Sequence, residues 1–378
     1  MKKIATLGFV LITFASQAIW VTFSPVVSKV ASQLNVSSTY VGFLAVLYPV
    51  FFLLLTIPSG MLLDRNFKFW LLFGALTTAL GGMGRLLIPF SYSWLFFCQL
   101  LAAIGQPFLL NGFVPFASRL FERSRSSIIV ILSLSMYLGT IFASATGYVL
   151  YTNYGLFTLI LPSSIISFLG ILILALGMYR YREQKQVTSS NINLSLVVTK
   201  KDLLLLGCIL GLGVAAFDNL ATWLEPALET VNLANAAGNS VAIAIIAGLA
   251  GIAITPSFVN KRNIRTYYIR SIVPLIAIFF AILAFYQAEL EVYVLLGIAG
   301  FLMLPAYPII MDWIGKFYSK DIQGSATGYV GLVSRAISVS LMFITPSFIY
   351  SAHSYFLLLT AIVAMAFIFS LALPNDKK

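Results

Sequence analysis

The chain has 378 residues, of which 60% are hydrophobic and only 9% charged, with a mean hydropathy of +0.98. A soluble domain is about half apolar and about a quarter charged, so this composition excludes one and points to a surface that faces lipid. The net charge of +11 does not imply nucleic acid, because the basic residues fall in short clusters between apolar runs rather than along one face or groove.

A bilayer span needs about 20 apolar residues, and that rule yields twelve helices. They are expected at approximately 4–31, 40–63, 69–90, 94–121, 127–151, 156–180, 203–228, 237–259, 266–286, 290–315, 323–350 and 353–374. The first apolar run continues to about Val30, beyond the roughly 7–15 residues of a signal-peptide core, and is read as a span rather than a leader. The ten-residue alternation of a lipid-facing β-barrel is absent, and helices satisfy their own backbone in lipid. Cys98 and Cys208 each lie inside an apolar run and are read as inert thiols, not a disulfide.

Charge first clusters after the second span, in "PSGMLLDRNFKFW" (Pro58 to Trp70). The same side of the chain carries Arg119, Arg123 and Arg125, then Arg180, Arg182, Lys185, Lys200 and Lys201, then Lys261, Arg262 and Arg265, then Lys316 and Lys320. Lys2, Lys3, Lys377 and Lys378 place both termini with them, whereas the alternate loops offer Glu229, Glu289, Glu291 and His353, with Lys29 at a helix end. The asymmetry puts both termini in the cytoplasm of a cell-membrane protein, and an even number of spans requires them on one side.

The polar segment 182–201 reads as a cytoplasmic linker between two six-helix halves, 1–181 and 202–378. The halves read as repeats. "PSGMLLDRNFKF" pairs with "PSFVNKRNIRTY" (Pro256 to Tyr267) once one residue is deleted, and "SKDIQGSATG" takes the place of "ERSRSSIIVI".

Gly60-x-x-x-Asp64-Arg65-x-x-Lys68 resembles the G-x-x-x-D-R/K-x-G-R/K signature of the major facilitator superfamily, with Phe67 in place of the second glycine. The resemblance covers essentially the whole chain. It implies an all-α membrane fold of two six-helix bundles that rock about a midplane substrate site. It also implies a gating role for Gly60, Asp64, Arg65 and Lys68, since the family's aspartate meets a helix N-terminus of the other bundle when the cytoplasmic side is closed. A carboxylate at a helix N-terminus is stabilised by about 0.3–1 kcal/mol. A plain helix cap with positive-inside charges is the competing account.

Polar groups at bilayer depth are functional candidates: Gln17, Arg85, Gln106, Asn111, Asp218, Asn219, Glu225, Asp312 and Arg335. At 1.5 Å per residue, Asp218 and Trp20 lie about 24 Å, and Gln106 and Arg335 about 18 Å, along their helices. "AIGQPFLLNGFVPFASRLF" (Ala103 to Phe121) with "WVTFSPVV" (Trp20 to Val27) resembles the feline leukaemia virus subgroup C receptor-related branch. That branch carries choline and ethanolamine in animals, with haem also proposed. The resemblance implies a pocket that uses Trp20 and Gln106. Asp218 and Arg335 depart from the branch's helix-seven aromatic and helix-eleven glutamine, and Arg85 matches its basic residue near the outer end of helix three.

Bland accounts stand beside these. Trp20 could be helix packing, and Gln106 could serve backbone freed by Pro107. Glu225 and Glu229 read as the wet end of helix seven, and Asp312 with Lys316 as an i,i+4 ion pair. Gly139, Ala143 and Gly147, and Gly324, Gly328 and Gly331, read as faces for close helix packing. No Cys/His cluster has metal-ligand spacing, no serine has an evident base, and no glycine loop follows a strand, so no enzyme, metal or cofactor is expected.

The expectation is a monomeric secondary active transporter of a small organic solute, a cationic or zwitterionic amine drawn to Trp20 by cation–π attraction. Gln17, Trp20, Gln106, Asp218, Asn219 and Arg335 would bind it, and protons are a candidate coupling ion. A proton-coupled multidrug or organic-anion exporter is the alternative, favoured by Arg335, with a non-transporting receptor behind it. Asp218 and Arg335 are expected to interact and to receive a zwitterion or couple a proton, against a fixed structural pair.

Overall fold

The computed structural model describes residues 1–121, 124–181, 198–318 and 320–375, without the side chains of 125–126 and 320–325. Most of the expected linker at 182–201 lies outside them, as do Arg123, Arg182, Lys185, Lys377 and Lys378 of the orientation argument. Among the described residues every regular element is helical. The chain divides into two compact units, Met1–Ser189 and Ser190–Lys378.

The first unit contains α1 (Lys2–Trp20), α2 (Val27–Leu34), α3 (Ser38–Arg65), α4 (Phe67–Gly84), α5 (Tyr92–Asn111), α6 (Phe113–Leu120) and α7 (Arg125–Met178). The second contains α8 (Lys201–Glu229), α9 (Ala234–Arg262), α10 (Arg265–Phe285), α11 (Glu289–Met303), α12 (Ala306–Phe317), α13 (Lys320–Ile344) and α14 (Ala352–Leu371).

Ten helical stretches among the described residues are long and apolar enough to cross a membrane, and one of them, 127–178, holds two of the expected spans. With 54 residues, α7 would run about 81 Å, more than twice the thickness of a hydrocarbon core. It turns at Gly155, whose φ of 81° is open to glycine and costly for other residues. The 18-residue α4, which is not among those ten, lies where the third expected span falls.

Proline explains where expected spans divide. Pro25 follows the turn that separates α1 from α2, and Pro305 sits between α11 and α12. The fourth span divides at Gly112, three residues before Pro115, while α5 continues through Pro107. Proline supplies no backbone donor and clashes with the preceding turn, so each division falls beside one.

In the first unit α1 packs along α7, and in the second α8 packs on α13, α9 on α11 and α10 on α14. Gly139 and Gly147 lie against α1 and Pro25, where an added Cβ would collide with Phe14 backbone or the Pro25 ring. At Gly328 and Gly331 a Cβ meets nothing within 4 Å, so that expected packing face does not form there. Phe9, Phe67 and Phe116 centre one buried cluster of the first unit, and Phe23, Leu44 and Leu95 another.

Candidate functional site

Asp218 stands about 26 Å along α8 from Lys201, deep in an apolar helix. Its Oδ2 accepts from Arg335 Nη1 at 2.8 Å and from Ser338 Oγ at 2.6 Å. Residues three apart share a face of a helix, so α13 presents Arg335 and Ser338 together. The two charged groups are unequally covered: the Asp218 side chain is 4% exposed and that of Arg335 28%. An ionisable residue at membrane depth costs about 2.5–3.5 kcal/mol on insertion scales, and pairing with a hydrogen-bonded counter-charge offsets that cost. The arrangement offers a partly exposed arginine side chain backed by a buried carboxylate.

Asn219, next along α8, turns its amide to Ala215 of its own helix at 2.8 Å, while its buried Oδ1 has no partner. Its backbone carbonyl accepts from Tyr355 Oη at 3.0 Å. Glu225 does not mark a wet end: it is 1% exposed, whereas Glu229 is exposed. Asp312 pairs with Arg265 rather than with Lys316, and Lys316 Nζ donates to Asn263 instead. A tertiary partner across α10 and α12 displaces the i,i+4 pair expected from spacing.

In the first unit Trp20 has a structural task. Pro49 has no N–H, so the carbonyl of Ala45 lacks its helical donor, and Trp20 Nε1 supplies one at 3.1 Å. The indole is 8% exposed. Gln17 is 3% exposed with an unpartnered Nε2. Gln106 is 6% exposed, and its side chain makes no hydrogen bond among the described residues, to the backbone beside Pro107 or elsewhere. Asn111 donates to Thr56 O and Ser59 Oγ, both at 2.8 Å, tying the end of α5 to α3.

The charged turn between α3 and α4 separates into distinct tasks. Asn66 is the N-cap of α4 and accepts from Phe69 N at 3.1 Å, so Asp64 does not cap that helix. Asp64 lies instead in the exposed last turn of α3, where the helix dipole disfavours a carboxylate and favours Arg65. Lys68 donates to the carbonyls of Tyr179 at 3.1 Å and Tyr181 at 3.4 Å, capping the end of α7. Phe67, in place of the signature's glycine, is fully buried, with the Arg119 guanidinium 4.9 Å from its ring centroid. A Cβ added at Gly60 meets nothing within 4 Å.

Sequence reasoning overlooked Ser338 and Gln99. Spacing alone places Ser338 one turn beyond Arg335. Gln99 carries the same signal as Gln106, a polar side chain within an apolar span, and its Nε2 donates to Ile19 O at 2.9 Å where α1 ends.

The Major Facilitator Superfamily profile matches residues 9–342. The chain belongs to that family. An uncharacterised Major Facilitator Superfamily-type transporter of Caenorhabditis elegans is 21% identical over 366 residues, covering 88% of this chain and 62% of its own length. An uncharacterised protein of Archaeoglobus fulgidus is 26% identical over 180 residues, 47% of this chain and 82% of its own. Among solved structures, a D-xylose–proton symporter superposes with a TM-score of 0.76 at 14% identity, covering 100% of this chain and 98% of its own. The nucleoside transporter NupG gives 0.74 at 14% identity, covering 99% and 100%. At these identities the two structures establish the superfamily's helical transporter fold and no substrate.

Proposed function

We propose that this superfamily member is a secondary active transporter of a small organic solute bearing an acidic group, zwitterions included. The observation that carries the reading is the Asp218–Arg335–Ser338 cluster. Of its two charged side chains Arg335 is the more exposed, and a guanidinium's planar donors suit a carboxylate. Asp218 would hold Arg335 in place in the absence of solute and exchange it, or take up a proton, when solute arrives. A cation–π site on Trp20 has less support, because the indole is nearly covered and its N–H is engaged.

The resemblance to the feline leukaemia virus subgroup C receptor-related branch belongs to this proposal. It rests on Trp20 and on the stretch around Gln106, while Asp218 and Arg335 mark where this chain's solute would differ from choline. The 1–181 and 202–378 halves, their cytoplasmic termini and a gating role for Asp64 complete the reading. The absence of a cap role for Asp64 supports the last of these.

The test is a thermal-shift screen of purified protein against matched solutes that differ only in a carboxylate or an amine. Specific binding raises apparent stability. Carboxylate-bearing solutes should raise the melting temperature of the parent and not of Arg335→Gln. Stabilisation by amines alone, unaltered in Arg335→Gln, would contradict the proposal.

A further inference from the structure

A groove of about 720 Å³ lies in the second compact unit, between the start of α8 and the chain just past α14. That is the size of a small-molecule site, which runs to about 300–1,000 Å³. Lys200, Lys201, Leu204 and Leu205 line it from the α8 side, and Ala372 and Pro374 from the other.

The second wall is fastened to α10. Arg270 donates through Nε to Ser370 O at 3.0 Å and through Nη2 to Leu371 O at 3.2 Å and Leu373 O at 2.6 Å. Its Nη1 donates to Asn375 Oδ1 at 2.8 Å, and Thr266 Oγ1 to Pro374 O at 2.9 Å. The last carbonyls of a helix have no partner within it, and here one fixed cation collects them. Leu373 is buried behind them, so Ala372 and Pro374 hold their place beside α8.

The charge in the groove is one-sided. Asp202 is already engaged, its Oδ2 accepting from Tyr318 Oη at 2.6 Å. Lys200 and Lys201 are exposed, and among the described residues neither ammonium has an ion pair or a hydrogen bond. The remaining lining is largely apolar and continues onto the flank of the spans: Leu204 is exposed, as are Ile368 and Leu371 in the last turn of α14. Two unpaired cations over an apolar lining, at the ends of two spans, match a molecule with an anionic head and an apolar body. The chain's own preceding segment does not match, since it brings Arg182 and Lys185 against Glu183. A free phosphate would leave Leu204, Leu205, Ala372 and Pro374 uncovered.

We infer that this groove holds an anionic phospholipid, with its phosphodiester on Lys200 and Lys201 and its first acyl carbons on the apolar lining. In the orientation proposed above the site meets the cytoplasmic leaflet, where anionic lipids and basic pockets between helices pair. The site is separate from Asp218 and Arg335, and its occupant is not the transported solute.

Thermal unfolding of the detergent-purified transporter tests it, with dioleoyl phosphatidylglycerol titrated against dioleoyl phosphatidylcholine in mixed micelles. Phosphatidylglycerol should raise the melting temperature saturably, as mass action on one site requires, and phosphatidylcholine should not. Lys200→Gln/Lys201→Gln should need about thirtyfold more phosphatidylglycerol for the same shift, the scale of two lysines facing an anionic lipid. Ala372→Trp, at an exposed position, fills the groove while keeping both lysines, and should weaken the response as well. Lys2→Gln/Lys3→Gln removes equal charge from the first unit and should respond like the parent. Equal shifts by the two lipids would overturn the inference, and so would an equal loss in both lysine double variants, which would make the attraction diffuse. An unchanged response in Ala372→Trp would place the lipid elsewhere. A shift by glycerol 3-phosphate as large as that by the lipid would make the ligand a free phosphate and overturn it too.

Discussion

Arg85 in the first compact unit and Arg335 in the second both lie in apolar helices, yet their surroundings differ in kind. Arg85 is fully covered and meets two hydroxyls, whereas Arg335 is partly open and meets a buried carboxylate. Under the proposed function, the difference means that burial depth alone does not mark a transport site. A fixed cation can be sealed among neutral hydroxyl acceptors. A cation that must change partners needs access and a protein carboxylate able to hold it between turnovers.

The largest expected break in that comparison is Arg335→Met. It strands the nearly covered Asp218 carboxylate, and breaking a buried pair from one side costs about 3–5 kcal/mol. Chemical denaturation of the detergent-solubilised variant reads the loss. A cost below that of a surface substitution would show the pair to be solvated and weak.

Trp20→Phe sharpens the first unit's side of the comparison. It leaves the Ala45 carbonyl without a donor, which should cost about 1–3 kcal/mol. Solute affinity in a binding titration should stay within about twofold, since a change under 0.5 kcal/mol is expected where no contact is lost. A large loss of affinity at unchanged stability would return Trp20 to the solute pocket.

Arg85→Met should cost less than either. Its stability should match the parent's within about 1 kcal/mol, because the hydroxyls of Thr22 and Ser163 keep their backbone bonds. A loss as large as that of Arg335→Met would mean that Arg85 has a counter-charge in the protein after all.

The smallest effects separate the two roles in the charged turn. Asn66→Ala removes the cap of α4 and should cost about 1 kcal/mol. Asp64→Asn should leave thermal stability unchanged and slow flux in proteoliposomes. If Asp64→Asn instead melted early with normal flux, the aspartate would be structural.

Much of the fold was legible because long apolar runs have one solution in lipid, and the twelve expected spans all have helical counterparts. Breaks within them were harder to place. Pro25, Pro115 and Pro305 were visible at the breaks, but Pro49 and Pro107 lie in helices that continue, so a proline alone does not say whether a helix divides. At Pro49, Trp20 takes up the freed Ala45 carbonyl. Residue types also announced the candidate polar groups, while partners did not follow from spacing. Asp312 found Arg265 across the bundle instead of Lys316 on its own helix, and Glu225 was covered by tertiary packing that hydropathy does not report. Asp64 and Asn66 stand two positions apart in one turn, and only backbone geometry distinguishes cap from uncapped carboxylate.

The most direct test of the account is solute flux in proteoliposomes by the double variant Asp218→Asn/Arg335→Gln. Removing both charges together strands neither, so stability should remain near the parent's while flux is lost. Parent-like flux by the folded double variant would contradict the account and leave the pair a structural fastening between α8 and α13.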